Sequence, residues 1–412
     1  MYKTISHCRI CKNHSLTPIF SLGEQALTGV FPWHPSETVT AGPVDLVMCT
    51  GPGACGLVQL LQTYDLHEMY GENYGYRSGL NQSMVEHLQS KVHDILRLDY
   101  LQPGDIVIDI GSNDATTLKS YPQGIYELVG VDPTGTKFAD YYPTGIKLIP
   151  EFFSAQAIEK ALGGRKAKVI TSFSMFYDLE DPVAFARDIG AALDSEGIWV
   201  LEQSYLPTML RANSFDTICH EHLEFYGLKQ IAYIAEMANL KILDVSFNET
   251  NGGSFSIIVA REDSMRQPNS ININKILADE QSFGLDSFDA YNEFKVRIEE
   301  AGEALVTFLE KAKASNSRVC GLGASTKANV LLQFFNIDSS LLPVIGEVNI
   351  EKVGKFTPGS LIPIQSEEDV LKSNPEYLVV LPWHFRNFFL NNKKFKGQRL
   401  VFPLPKFEIV QL

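Results

Sequence analysis

Residues Ser214–Tyr226 read Ser-Phe-Asp-Thr-Ile-Cys-His-Glu-His-Leu-Glu-Phe-Tyr, which packs two imidazoles and three carboxylates into one short run. His220 and His222 stand two apart, so on a helix they would not share a face. The His-Glu-x-x-His order of a zinc peptidase is absent. The composition fits acid–base chemistry better. A neutral imidazole accepts a proton near neutral pH, and an adjacent carboxylate can hold it in place. His220, Glu221 and His222 are the candidate catalytic groups of this segment.

A second cluster is made of thiols. Four of the six cysteines fall early, at Cys8, Cys11, Cys49 and Cys55. Cys8-x-x-Cys11 places two thiolates on one ion from a tight turn. The second pair is spaced by Thr-Gly-Pro-Gly-Ala, a loop-forming stretch. Four such ligands close a tetrahedral structural zinc site, with His7 and His14 nearby as substitutes. No open coordination position is implied, so this zinc is structural. In a chain without an apolar leader, cysteines are expected as thiols or metal ligands, not disulfides.

The third group would hold a cofactor. Val107–Asp114 reads as an apolar strand followed by a turn at Gly111. It resembles the first glycine loop of class I methyltransferases, in an Asn-Asp variant. Gly111 lets the backbone approach a ligand without a clashing Cβ. A second strand, Val129-Gly130-Val131, ends at Asp132, where an acid for ribose hydroxyls is expected. The loop has one glycine where a dinucleotide fingerprint has three, and no pyrophosphate needs cradling. That favours S-adenosylmethionine over NAD. Phe152 and Phe153 after a third strand suit the adenine. The expected cofactor set is Asp109, Gly111, Asn113, Asp132, Phe153 and Phe173.

Hydrophobic periodicity says what positions these groups. It predicts a helix near residues 81–98 and core strands near 105–110, 128–131, 168–171 and 198–202, with a helix at 183–193. Strands near 242–247 and 254–260 form an antiparallel hairpin around Asn251-Gly252-Gly253. A polar, turn-rich stretch at 261–270 precedes helices at 273–314, broken near Gly284. A second α/β pattern follows: a strand at 318–322, a loop at 323–327, a helix at 328–335, and strands at 344–346 and 377–381. The reading is an α/β fold: a zinc-binding module over 1–66, a Rossmann-like class I methyltransferase core over 67–265, and a C-terminal Rossmann-like α/β domain over 266–412.

The 412-residue chain is 45% hydrophobic and 20% charged, with a net charge of -14. That balance argues against nucleic acid or another partner held mainly through its phosphates, though a small phosphorylated ligand still fits a local basic pocket. No apolar run approaches the roughly 18–20 residues of a membrane span. A cytoplasmic protein with no membrane partner is expected; oligomeric state stays open.

Gly321-Leu322-Gly323-Ala324-Ser325-Thr326-Lys327 follows a strand and opens a helix, a setting in which backbone N–H groups suit a diphosphate. It lacks the spacing of a P-loop. With this loop, the cysteine quartet and the His-Glu-His segment in this order, essentially the whole chain resembles the nucleotide-sugar C-methyltransferases that make 3-C-methyl branched deoxysugars. The resemblance implies a nucleoside-diphosphate 4-keto-6-deoxy sugar as substrate. It implies His222 as the base that takes the proton beside the ketone, Glu221 as its partner, and methylation of the resulting enolate carbon. It also implies a tyrosine from the segment after the zinc module, Tyr76 with Tyr74 as runner-up. The substrate set is Asn251, Gly252, Gly323, Ser325, Thr326, Lys327 and Asn329, with Trp383, His384 and Arg386 as further nucleotide contacts. The chain departs from one branch of the family, which has Tyr at Cys219 and a His after the third core strand. There Tyr177 would donate a hydrogen bond to the developing enolate oxygen. The competing readings are an NAD-dependent oxidoreductase on the same sugars, an O- or N-methyltransferase, and a zinc interaction module fused to an inactive core.

Overall fold

The computed structural model describes residues 2–65, 69 and 77–412. Its central sheet has seven strands. In chain order they are Ile106–Ile110, Glu127–Val131, Ile146–Ile149, Ala167–Phe173, Leu193–Ser204, Leu240–Asn248 and Ser254–Arg261, laid side by side as 3-2-1-4-5-7-6. The first five run parallel, and the seventh is antiparallel to both its neighbours. Ile106–Ile110 is buried along its whole length, as a parallel strand covered on both faces must be. The chain reverses its direction of winding between strands 1 and 4, which opens a crevice at their carboxyl ends.

Helices cover this sheet where the apolar spacing places them. Gln82–Arg97 is capped by the Asn81 side chain and buries Leu88, Val92 and Ile95. Pro182–Ala192 starts at a proline, with Asp181 accepting from the Ala184 N–H.

The second sheet has six strands in the order 3-2-1-4-5-6: Val319–Leu322, Ile345–Glu347, Ile364–Ser366, Tyr377–Val380, Arg399–Phe402 and Glu408–Gln411, the last antiparallel. It too is a Rossmann-like sheet, reached through the helices Ser270–Phe283 and Phe288–Ala314. Gly284 separates those helices in a left-handed conformation, as the sequence suggests. The helix after the glycine loop runs Thr326–Phe334, two residues ahead of the expected start. Ser325 caps it by accepting from the Ala328 N–H, which draws Thr326 and Lys327 into the first turn.

A third sheet has a composition the sequence did not announce. Leu16–Ala26, Ala41–Cys49 and Val58–Leu60 are joined by Glu224–Phe225, a two-residue strand from far along the chain. Glu224 pairs with Gln59 and Phe225 with Val58. The N-terminal module is therefore stitched to the segment that carries His222.

Candidate active site

A cavity of about 500 Å³ opens at the carboxyl ends of the central strands. Its wall brings together Asp109, Gly111, Asn113, Asp132, Phe153 and Phe173 with Tyr177, Cys219, Glu221, His222, Asn251, Thr326 and Lys327. Gly111 has a φ of 70°, and a Cβ there would press on Met175 at 3.3 Å. One oxygen of Asp132 accepts from the Asn113 N–H at 2.8 Å. The other accepts from the N–H and hydroxyl of Thr134 at 2.7 and 2.6 Å. The carboxylate thus braces the glycine loop while lining the cavity. Asp109 accepts from the Thr171 hydroxyl at 2.5 Å, and burial pushes its carboxyl up to about 7. Phe153 packs on Phe185 with ring centroids 5.1 Å apart.

His222 sits in the same wall, with Nδ1 2.7 Å from the carbonyl oxygen of Thr217. A carbonyl only accepts, so Nδ1 carries the proton and Nε2 keeps its lone pair. Burial, reinforced by the nearby Lys327 charge, pushes the imidazole down to about 4 and keeps it neutral at physiological pH. The Tyr177 ring meets it edge-on at 4.3 Å. This corrects the partner expected for His222. The Thr217 carbonyl, not Glu221, orients the ring. A backbone acceptor leaves no side-chain signature, so the sequence could not reveal it. Glu221 instead accepts from the Thr28 hydroxyl at 3.4 Å, and burial raises its carboxyl.

His220 is placed outside the cavity wall. It is fully buried, its Nε2 lies 3.1 Å from the Gln25 carbonyl oxygen, and its ring meets Tyr64 edge-on at 4.5 Å. Its surroundings are those of a packed core histidine. Tyr76 and Tyr74 lie outside the described residues.

Several elements hold the segment that carries His222. The Leu223 N–H donates to the Tyr177 carbonyl at 2.8 Å, and the Leu60 N–H to the Leu223 carbonyl at 2.9 Å. Phe215 packs among Phe334 and Phe335. Trp383 Nε1 donates to Asp216 at 2.7 Å, a link from the C-terminal sheet that the sequence reading did not foresee.

The C-terminal loop meets the cavity differently from its sequence-based expectation. Thr326 and Lys327 line the wall, and Lys327 donates to the Asn251 carbonyl at 2.8 Å. Gly323, Ser325, Asn329 and Gly252 do not line it. Gly323 and Gly252 make turns at φ of 80° and 93°, and Ser325 caps the helix. Buried Asn329 donates to the Thr28 carbonyl at 2.7 Å, which ties the C-terminal helix to the N-terminal module. The Ala324 N–H donates to Glu347 at 2.8 Å. Glu347 also accepts from the N–H groups of Val348 and Asn349.

The four early cysteines converge, with all four sulfurs within 4.8 Å of one another. Cys8 and Cys55 are 3.5 Å apart at sulfur, and Cys11 and Cys49 3.4 Å. A tetrahedron with Zn–S bonds near 2.3 Å has edges of about 3.8 Å, so the set fits one ion.

Three family models match successive parts of the chain: a zinc binding domain over residues 8–70, a methyltransferase domain over 82–245, and a C-methyltransferase C-terminal domain over 249–405. The C-methyltransferase NovU of Streptomyces niveus is 27% identical over 414 residues, covering 99% of this chain and 97% of NovU. The chain is an S-adenosylmethionine-dependent C-methyltransferase. Similar solved structures include an S-adenosylmethionine-dependent methyltransferase from Clostridium acetobutylicum, 12% identical with a TM-score of 0.33 over 42% of this chain and 91% of that one. LepI in complex with SAM is 15% identical with a TM-score of 0.33 over 39% of this chain, which spans 43% of LepI. The C-methyltransferase uses S-adenosylmethionine, which settles the choice against NAD. The bare strand end at Gly111, the carboxylate of Asp132 and the rings of Phe152 and Phe153 fit that cofactor. When bound, it supplies an electrophilic methyl group. The cysteine tetrad of this C-methyltransferase is its zinc site. No helix among the described residues is long and apolar enough to cross a membrane.

Proposed function

We propose that this C-methyltransferase methylates the carbon next to the ketone of a nucleoside-diphosphate 4-keto-6-deoxy sugar, with His222 as the general base. A carbon becomes a nucleophile only after losing a proton, so a C-methyltransferase needs a base beside its methyl donor. The ketone acidifies the neighbouring C–H. Nε2 of His222 takes that proton, the C–H electron pair becomes a C=C bond, and the carbonyl π pair moves to oxygen. Tyr177 lines the wall at His222 and suits a role as donor to that oxygen.

The observation that carries the reading is the neutral imidazole, fixed by the Thr217 carbonyl, in the same cavity as Gly111 and Asp132. Similarity to NovU along nearly its full length supports it. In this reading residues 1–66 hold zinc, 67–265 hold cofactor and base, and 266–412 hold the nucleotide end of the substrate. Tyr76 would complete the sugar site, and the enzyme would work in the cytoplasm. The test is incubation of the purified protein with S-adenosylmethionine and a panel of thymidine and guanosine diphosphate 4-keto-6-deoxy sugars. Product NMR should place the new methyl on a carbon adjacent to the ketone. A methyl on oxygen or nitrogen, or no turnover across the panel, would overturn the proposal.

A further inference from the structure

We propose that Lys327 is a catalytic residue whose ammonium holds the ketone oxygen and takes up the charge formed as His222 removes the adjacent proton. This rests on the keto-sugar reading above. It changes the job of Lys327 from phosphate anchor to oxyanion donor.

The position of the side chain argues for it. Lys327 belongs to the first turn of Thr326–Phe334 and enters the cavity wall that holds His222, Cys219, Glu221 and Asn251. Its Nζ is fixed by the Asn251 carbonyl at 2.8 Å, which uses one of its three donors. Among the described residues no carboxylate pairs with it within 4.0 Å. Asp216, which acts on it through space, is already engaged by Trp383 at 2.7 Å and Ser214 at 3.2 Å. Two N–H groups are thus left for a ligand.

The alternative role is weakened by the loop itself. The Ala324 N–H donates to the Glu347 carboxylate, and the Ser325 hydroxyl oxygen accepts from the Ala328 N–H as a helix cap. That N–H of Ala324 is therefore already engaged, and Lys352, which donates to the Ala324 carbonyl at 2.8 Å, stands beside the carboxylate.

The charges also work in sequence. Lys327 disfavours the protonated form of His222 before reaction, and so keeps the base free. When the proton moves to Nε2, the enolate oxygen becomes negative between two cations. The attraction to Lys327 is realised as the barrier is crossed, which is where an interaction raises rate.

Lys327→Gln and Lys327→Arg in the full chain test this, using the keto-sugar nucleotide that the wild-type enzyme turns over. Two quantities are read: deuterium entry beside the ketone in D2O with S-adenosylhomocysteine bound, and affinity for thymidine or guanosine diphosphate, whichever the sugar carries. Lys327→Gln should slow exchange by about 100- to 1000-fold, as loss of an oxyanion donor does. Its nucleoside diphosphate and S-adenosylhomocysteine affinities should stay within about threefold, the latter also reporting an intact fold. Lys327→Arg should recover part of the rate. Tenfold or greater loss of nucleoside diphosphate affinity with saturating exchange unchanged would overturn the assignment in favour of a phosphate anchor. Absence of exchange by the wild-type enzyme would instead overturn the keto-sugar reading beneath it.

Discussion

Arg9 and Glu224 form a buried ion pair, with 3.6 Å between guanidinium nitrogen and carboxylate oxygen. Arg9 stands between the zinc ligands Cys8 and Cys11, and Glu224 stands two residues past His222. Arg9 is further fixed by donating to the Leu60 and Gln62 carbonyls at 2.5 and 3.2 Å and to the Thr63 hydroxyl at 2.7 Å. The zinc module and the segment that carries His222 are thus joined by a buried charge contact and a strand pairing.

Removing one member of such a pair leaves the other charge buried alone, at a cost of about 3–5 kcal/mol. Arg9→Met should lower the urea midpoint accordingly. The double change Arg9→Met with Glu224→Leu should recover much of the loss. A single variant as stable as wild type would show that the contact carries no structural weight. Cys8→Ser should likewise release zinc, seen as loss of metal in elemental analysis, and lower the melting temperature.

The imidazole of His222 is held near 4, so it stays an unprotonated base well below neutral pH. The acid limb of kcat/KM, which reports the free enzyme, should therefore fall below pH 6 and move toward about 4. Activity should be level from pH 8 to 6 as far as this group is concerned. An acid limb at the ordinary histidine value of 6.5 would contradict the burial argument.

His220 offers a contrasting expectation. Its folded value is about 4 against an ordinary 6.5, because burial disfavours the cation. Between those values the unfolded chain binds a proton that the folded one does not. Stability is therefore complete above about pH 6.5 and is lost as pH falls toward 4. His220→Phe removes that component. It also leaves the Gln25 carbonyl without its partner, at about 1–3 kcal/mol. Thermal unfolding across pH should show both effects, with kcat nearly unchanged. A kcat loss as large as that of a His222 variant would place His220 in the chemistry after all.

Asp132 braces the glycine loop and lines the cavity. Asp132→Ala should weaken S-adenosylhomocysteine binding by about 10- to 100-fold, in line with loss of a charged hydrogen-bond partner. Zinc content should not change. Calorimetric titration decides it, and wild-type affinity in the variant would remove Asp132 from the cofactor site.

The strands whose apolar runs are long or flanked by clear turns were legible in the sequence, as at Ile106–Ile110 and the hairpin around Asn251-Gly252-Gly253. So was the cysteine set, because thiols at those spacings have few other uses. Three kinds of feature were not legible. Ile364–Ser366 and Arg399–Phe402 are too short to show a period. The pairing of Glu224–Phe225 with Val58–Leu60 joins residues some 165 apart, which no local pattern encodes. The orientation of His222 depends on the Thr217 backbone carbonyl, which any residue would supply. Nor was the carboxylate of Glu347 on the Ala324 N–H, a partner supplied by a separate strand of the same sheet.

The central claim is that His222 removes a proton beside a ketone. It is tested most directly by following deuterium entry into the keto-sugar nucleotide in D2O, with S-adenosylhomocysteine bound so that no methyl can transfer. Wild-type enzyme should exchange one hydrogen at the carbon that is methylated in turnover. His222→Ala should slow this by about 100- to 10,000-fold while binding S-adenosylhomocysteine normally. Exchange at the wild-type rate in that variant would contradict the account.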